Sequence, residues 1–299
     1  MKPVGFPDLP SDWVEDHDRF ASLDDNRSLF LNVWRKKVPT QGRALLIIHG
    51  QGEYGGRYAH FPYYLHNSID FIAAVDLRGH GKSEGTRGHV GNFSEYISDA
   101  KAALTRFQVR LSQWTRKSEI HCMGHSMGGL IAYRMLQDDE TLPIKSVSLS
   151  SPLLKLKMPV PPVKKFMAQL IRPVLGGLTM SNELDPTYIS HDPEVQKAYV
   201  EDQLNHNKVT PQFFVQMLKA MDTANEYDGE FAYSVQFQVP LADPIVDPEH
   251  LQGVFARLKL KSGVDKQMAT YAGFLHESFN EIGKEKAFGD LEQWILKHS

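Results

Sequence analysis

The 299 residues carry a formal net charge of −3, and 41% of them are hydrophobic, enough for one large α/β domain or a core with an inserted piece. The mildly acidic balance argues against a nucleic-acid partner, and the single cysteine, Cys122, excludes an intramolecular disulfide framework and suits the reducing cytoplasm. No secretory leader is visible in M-K-P-V-G-F-P-D-L-P-S-D-W, and no run approaches the roughly eighteen apolar residues that a membrane-spanning helix requires.

Residues 28 to 35 (S-L-F-L-N-V-W-R) alternate as a strand near a sheet edge, with one face toward water. Ala44 to Ile48 is continuously apolar and ends in His49-Gly50-Gln51-Gly52. Such a run marks a central parallel strand, and the turn after it lies where open α/β sheets hold ligands. Phe71 to Val75 repeats the pattern ahead of a glycine-rich loop. There Asp76, Arg78 and His80 read as loop braces, because no nucleophile shares the segment. From 93 to 116, Ile97, Ala100, Leu104, Phe107, Leu111 and Trp114 fall at steps of three and four, the spacing of an amphipathic helix. Strands alternating with helices predict a mostly parallel sheet covered on both faces.

Residues 119 to 135 are the centre of the chain. Ile120 to Met123 forms a brief apolar run, Gly124-His125-Ser126-Met127-Gly128 follows, and Leu130 to Leu136 continues as a helix. Strand, tight turn and helix around G-x-S-x-G form the setting in which the serine becomes a nucleophile. Bulky side chains beside such a turn would collide with neighbouring elements, hence the flanking glycines. The Met127 amide would open the helix where donors are unpaired, and the Gln51 amide would supply a second oxyanion donor. His121, Cys122 and His125 resemble metal ligands in composition, but alternate strand positions point to opposite faces, so no metal is expected.

At Pro152 the pattern changes. Prolines and helix-like spacing run to about Tyr227 without a clear buried strand, which predicts an inserted cap over 152–230 between core segments 1–151 and 231–299. Between Pro152 and Asn182 stand five bases (Lys155, Lys157, Lys164, Lys165 and Arg172) and no acid. That basic, apolar surface suits peripheral contact with anionic lipid, and equally a cap helix that faces the active site or a partner subunit. The sheet resumes at Ser234 to Val239, although Gln236 and Gln238 are unexpected in a strand buried on both faces. Arg257 to Lys261 and Met268 to Tyr271 read as further strands, and Lys286 to Lys297 as the closing helix.

A serine hydroxyl needs a base, and the base an orienting acid. His276 stands in the loop after the last strand. For the acid, Asp243 leads, since it lies directly beyond a strand, followed by Asp247 and then Asp265. The order nucleophile, acid, histidine is that of α/β-hydrolases.

Five stretches, H-G-Q-G-E-Y-G-G-R-Y (49 to 58), D-L-R-G-H-G-K-S-E-G-T-R-G-H-V (76 to 90), G-H-S-M-G-G (124 to 129), A-D-P-I-V-D (242 to 247) and G-F-L-H-E-S-F-N-E (273 to 281), resemble the monoglyceride lipase and lysophospholipase L2 family of α/β-hydrolases. The resemblance implies Ser126 as nucleophile, Asp243 and His276 as its partners, the Gln51 and Met127 amides as oxyanion hole, a mobile amphipathic cap and no cofactor. Pro240 departs from the small turn residue usual before the acid, and Tyr54 replaces a commoner histidine, a change that bears on the glycerol end. The expected activity is hydrolysis of single-chain lipid esters, monoacylglycerol first and lysophospholipid second. The alternatives are a small-ester carboxylesterase or peptidase on the same triad, and a non-catalytic binding protein on the same fold.

Overall fold

The computed structural model describes residues 7–157, 176–182 and 184–299. Its first part runs β1 (Trp13–Ala21), β2 (Ser28–Lys36), β3 (Arg43–Ile48), α1 (Phe61–Leu65), β4 (Phe71–Asp76), α2 (Ser94–Trp114), β5 (Glu119–His125), α3 (Met127–Asp138) and β6 (Ser146–Ser150). The second part runs β7 (Met180–Ser181), α4 (Pro193–Glu201), β8 (Lys208–Val209), α5 (Pro211–Glu226), β9 (Glu230–Phe231), β10 (Ser234–Pro240), α6 (Pro248–Arg257), β11 (Lys259–Leu260), β12 (Lys266–Tyr271) and α7 (Glu285–Lys297).

Eight strands form one sheet in the order β1-β2-β4-β3-β5-β6-β10-β12. β1 and β2 pair antiparallel, as do β2 and β4, and the remaining neighbours are parallel. Side chains of β3 alternate between two cores, which is the two-residue period of a strand covered on both sides. Leu46 and Ile48 meet α2, α3 and α5 through Phe107, Leu130 and Phe213. Leu45 and Ile47 meet α1 and α7 through Phe61, Leu291 and Ile295. Each such aliphatic side chain, fully removed from water, contributes roughly 1.5–3 kcal/mol.

Two sequence expectations change here. The segment at 28–35 does lie near the edge, next to β1, but it has no wet face: β1 pairs along its whole length, and β2 is buried almost throughout. The edge position belongs to β1, where Glu15, His17 and Arg19 take the solvent-facing places while Asp16 and Asp18, on the half-buried face, bind Arg110 and Arg106 of α2. The stretch expected as a strand at 257–261 contributes only β11, which pairs with β9 outside the main sheet. Gln236 and Gln238 are buried as the strand requires, and each finds a partner on α7 for its side-chain amide nitrogen. Gln236 accepts from Ser148 Oγ at 2.8 Å and donates to the Asp290 carbonyl at 2.9 Å, while Gln238 donates to the Ala287 carbonyl at 3.0 Å. The two amides thus dock α7 onto β10.

Three helices of the second half begin alike: Asp192, Thr210 and Asp247 each accept a hydrogen bond from an amide of the first turn, and each precedes a proline. A polar cap followed by proline starts a helix at a defined residue. Most of the basic, apolar stretch, including Lys164, Lys165 and Arg172, lies outside the described residues. Lys155 and Lys157 are described, and both turn to the acid loop: Lys155 pairs with Asp247 at 2.7 Å, and Lys157 Nζ donates to the Asp243 carbonyl at 2.9 Å. Among the described residues, no helix is long and apolar enough to cross a membrane.

Candidate active site

Ser126 sits between β5 and α3 with φ 52° and ψ −117°, a left-handed conformation that an L residue holds only under constraint. The constraint is visible. The Ser126 amide donates to the Ser150 carbonyl at 2.9 Å, and its carbonyl accepts from the Leu130 and Leu153 amides. A Cβ at Gly128 would stand inside contact distance of the Ile48 and His49 carbonyl oxygens, so the turn closes onto β3 only with glycine there. Ser126 is 8% exposed, and among the described residues its hydroxyl has no hydrogen-bond partner.

His276 reaches this turn from the opposite end of the chain. Its Nδ1 hydrogen-bonds Asp243 Oδ2 at 2.7 Å, and both residues are buried. Its carbonyl accepts from Ser151 Oγ at 2.8 Å, and its ring lies 4.9 Å from that of His125, the residue before Ser126. The other Asp243 oxygen accepts from the Ile245 and Val246 amides at 2.8 and 3.0 Å, which fixes the carboxylate. Pro240 ends β10 opposite Tyr271, and the turn that follows still delivers Asp243 to His276. The two alternative acids are engaged elsewhere: Asp247 caps α6 and pairs with Lys155, and Asp265 pairs with Lys297.

Burial alone would make His276 less basic, but the Asp243 carboxylate, helped by Glu277 and Glu53, outweighs it and raises its pKa. His125 goes the other way: burial, then the charge of His276, push it down to about 4, and it stays neutral beside His276. Among the described residues, neither the Gln51 nor the Met127 amide donates to another protein group. Free amides in these two positions could serve as oxyanion donors. The Gln51 side chain is tied outward, donating to the Lys208 carbonyl and accepting from Asn182, both at 3.0 Å.

Three polar residues of the site were quoted within motifs but given no role: Glu53, Arg57 and Glu277. All are buried, and Arg57 bonds both carboxylates at 2.7 to 2.8 Å. The local signal was Glu53 and Arg57 one helical turn apart. The third partner lies 220 residues away from Arg57. Arg78 pairs with Asp99 and Glu95, and Asp76 binds Asn32 and the Gly55 and Lys82 amides. His121 and His125 hydrogen-bond Ser146 and Ser150, and burial raises the Cys122 thiol to about 12. Among the described residues, no group of three or more His, Cys, Asp and Glu could hold a metal ion.

A family profile described as Hydrolase_4, serine aminopeptidase, S33, matches residues 40–283. An abhydrolase domain-containing protein of Dictyostelium discoideum is 32% identical over 91% of this chain, which spans 28% of that protein's length. A monoacylglycerol lipase of Mycolicibacterium smegmatis is 28% identical over 93% of this chain and 96% of its own. The crystal structure of a Paleococcus ferrophilus monoacylglycerol lipase superposes with a TM-score of 0.76 at 26% identity, covering 96% of this chain and all of that one. With the profile spanning most of the chain and the sheet order matching the fold, this protein belongs to the Hydrolase_4 family of α/β-hydrolases and is a serine ester hydrolase of the monoglyceride lipase-like kind.

Proposed function

We propose that this protein hydrolyses single-chain lipid esters, monoacylglycerol before lysophospholipid, through an acyl-enzyme formed on Ser126. The observation that carries the reading is the 2.7 Å bond from His276 Nδ1 to Asp243, beside the strained Ser126 turn. With Nδ1 protonated toward Asp243, Nε2 is the free base of the imidazole. It accepts the Ser126 proton as Oγ attacks the ester carbonyl, while the Gln51 and Met127 amides bind the developing oxyanion. The tetrahedral intermediate collapses, the C–O bond to the alcohol breaks, and His276 returns the proton to the leaving oxygen. Water then repeats the sequence on the acyl-enzyme and releases the fatty acid.

Charge supports the order of substrates. Asp243, Glu53 and Glu277 lie against His276 with Arg57 as their buried cation, which leaves the pocket net negative. An uncharged glycerol ester enters such a pocket at less electrostatic cost than an ester carrying an anionic phosphate. In the same reading residues 152–230 act as the cap over the acyl chain. The decisive experiment compares Ser126→Ala with wild type across monoacylglycerols, lysophosphatidylcholine, short p-nitrophenyl esters and aminoacyl amides. Wild type should prefer monoacylglycerol, and Ser126→Ala should lose on the order of 10⁴ to 10⁶ in kcat. Preference for the amides would turn the reading toward a peptidase, and an unchanged Ser126→Ala rate would end it.

A further inference from the structure

Glu53, Arg57 and Glu277 form one buried connection between the two loops that the mechanism uses. Glu53 Oε1 accepts from the Gly50 amide at 2.6 Å and from the Tyr58 hydroxyl at 2.9 Å, and its Oε2 accepts from Arg57 Nη1 at 2.7 Å. Arg57 forks onto Glu277, Nη1 to Oε1 at 2.7 Å and Nη2 to Oε2 at 2.8 Å. Asn280 Nδ2 donates to Glu277 Oε2 at 2.8 Å, and the Tyr199 ring of α4 lies 5.0 Å from the guanidinium carbon.

Both ends of the connection adjoin the chemistry. Gly50 precedes Gln51, whose amide is the proposed oxyanion donor, and a Cβ on Gly50 would lie 3.3 Å from Ser126 Cβ. Glu277 follows His276. We propose that Arg57 is a positioning residue that locks the oxyanion loop to the His276 loop, so that donor and base meet Ser126 in one fixed register. The inference rests on Ser126, Asp243 and His276 being the triad.

Stability alone gives little reason for such a bridge, since well-packed apolar residues often replace a buried ion pair at no loss. Geometry does give a reason. A planar fork can satisfy two carboxylates at fixed angles, whereas a lysine supplies the charge as a single point. Two loops separated by 220 residues are therefore referred to one rigid group.

The test is Arg57→Lys in the full-length protein with a short p-nitrophenyl ester. The expected result is a fall of about a hundredfold in kcat, the scale set by ångström-level misplacement, with KM changed by less than about threefold. Fluorophosphonate labelling of Ser126 should slow in parallel. Glu53→Gln and Glu277→Gln should each lower kcat, and the double variant should lose no more than the worse single, as for residues that act as a unit. The acid limb of the kcat/KM profile adds a readout that mere support of the fold would not move. The charged and titratable groups around His276 are Asp243, Glu277, Glu53, Arg57 and His125. Glu277→Gln removes one that favours protonated His276, so the limb should shift to lower pH, while Arg57→Lys leaves it in place. A folded Arg57→Lys with wild-type kcat, or single effects that multiply in the double, would overturn the proposal. If Arg57→Lys does not fold, the Glu53 and Glu277 cycle decides alone. Labelling of the wild type at a residue other than Ser126 would overturn the triad reading first, and this proposal with it.

Discussion

Two buried polar clusters flank the Ser126 turn, and they handle burial in opposite ways. On one side, Glu53 and Glu277 pair with Arg57, and Asp243 binds His276: burial works against the Glu277 carboxyl, but Arg57 outweighs it and holds it at about 2. On the other, His49, His80 and His206 pack as tilted rings with centroids 5.2 and 4.7 Å apart and stay neutral. His49 donates from Nδ1 to the Gly50 carbonyl at 2.7 Å and accepts the Leu77 amide on Nε2 at 3.0 Å. Burial pushes His49 and His206 down to about 4 and His80 well below its ordinary value. Both clusters join segments distant in sequence, yet only the charged one contains His276, the proposed base. Desolvated charge is costly unless paired, so it is found here beside the proposed chemistry, while neutral rings hold the 202–207 loop against the sheet.

The sharpest way to break this contrast is Asp243→Asn. The amide keeps the shape of the carboxylate but stabilises the wrong imidazole tautomer, and kcat should fall about 10⁴-fold, as in serine hydrolases generally. Stopped-assay kinetics on a soluble ester would measure it, alongside thermal unfolding to show that the fold survives. A loss under tenfold would mean that the charged cluster is structural, like its neutral counterpart.

Acidification should separate the clusters next. A histidine whose folded pKa is lowered stabilises the fold fully above its unfolded value of about 6.5, and that stability is lost as pH falls toward about 4. His60, His121 and His125 share this direction. Each contributes a slope of up to about 1.4 kcal/mol per pH unit. Glu277, lowered from 4.5 to about 2, contributes stability that is present above 4.5 and lost only as pH falls toward 2. Urea unfolding midpoints between pH 7.5 and 3 should therefore decline in two stages. His206→Gln should make the first stage shallower by up to about 1.4 kcal/mol per pH unit and leave the second. A flat midpoint from pH 6.5 to 5 would show that the rings are not neutral in the fold.

The legibility of the chain follows the same division. Ala44 to Ile48, Phe71 to Val75 and the elbow strand could be read because doubly buried strands are continuous apolar runs. α2 could be read because its buried positions recur at three and four. β1 escaped notice because an edge strand spends alternate positions on water, and W-V-E-D-H-D-R-F-A lacks a run to see. Asp243 and His276 were legible as loop residues in a known order. Arg57 was not, because its role is a contact between residues far apart in sequence, and no local periodicity records that. Gln236 and Gln238 looked wrong in a buried strand because their partners, main-chain carbonyls of α7, are invisible to the pattern.

The smallest expected effect concerns Tyr54, the residue that departs from the family's usual histidine. Its hydroxyl donates to Asp202 Oδ2 at 2.7 Å, so it joins the core to the segment that carries His206 in the neutral cluster. It thereby belongs with the joint rather than with the reacting groups. Tyr54→Phe removes one charge-assisted hydrogen bond, worth about 1.5–3 kcal/mol where buried. The unfolding midpoint should drop accordingly. The ratio of kcat/KM for monoacylglycerol to that for a short p-nitrophenyl ester should remain within about twofold of wild type, because a lost tie between segments acts on both substrates alike. A ratio that moves tenfold with an unchanged midpoint would show that this hydroxyl reads the alcohol of the substrate, and the boundary between the two clusters would then have to be drawn on the far side of Tyr54.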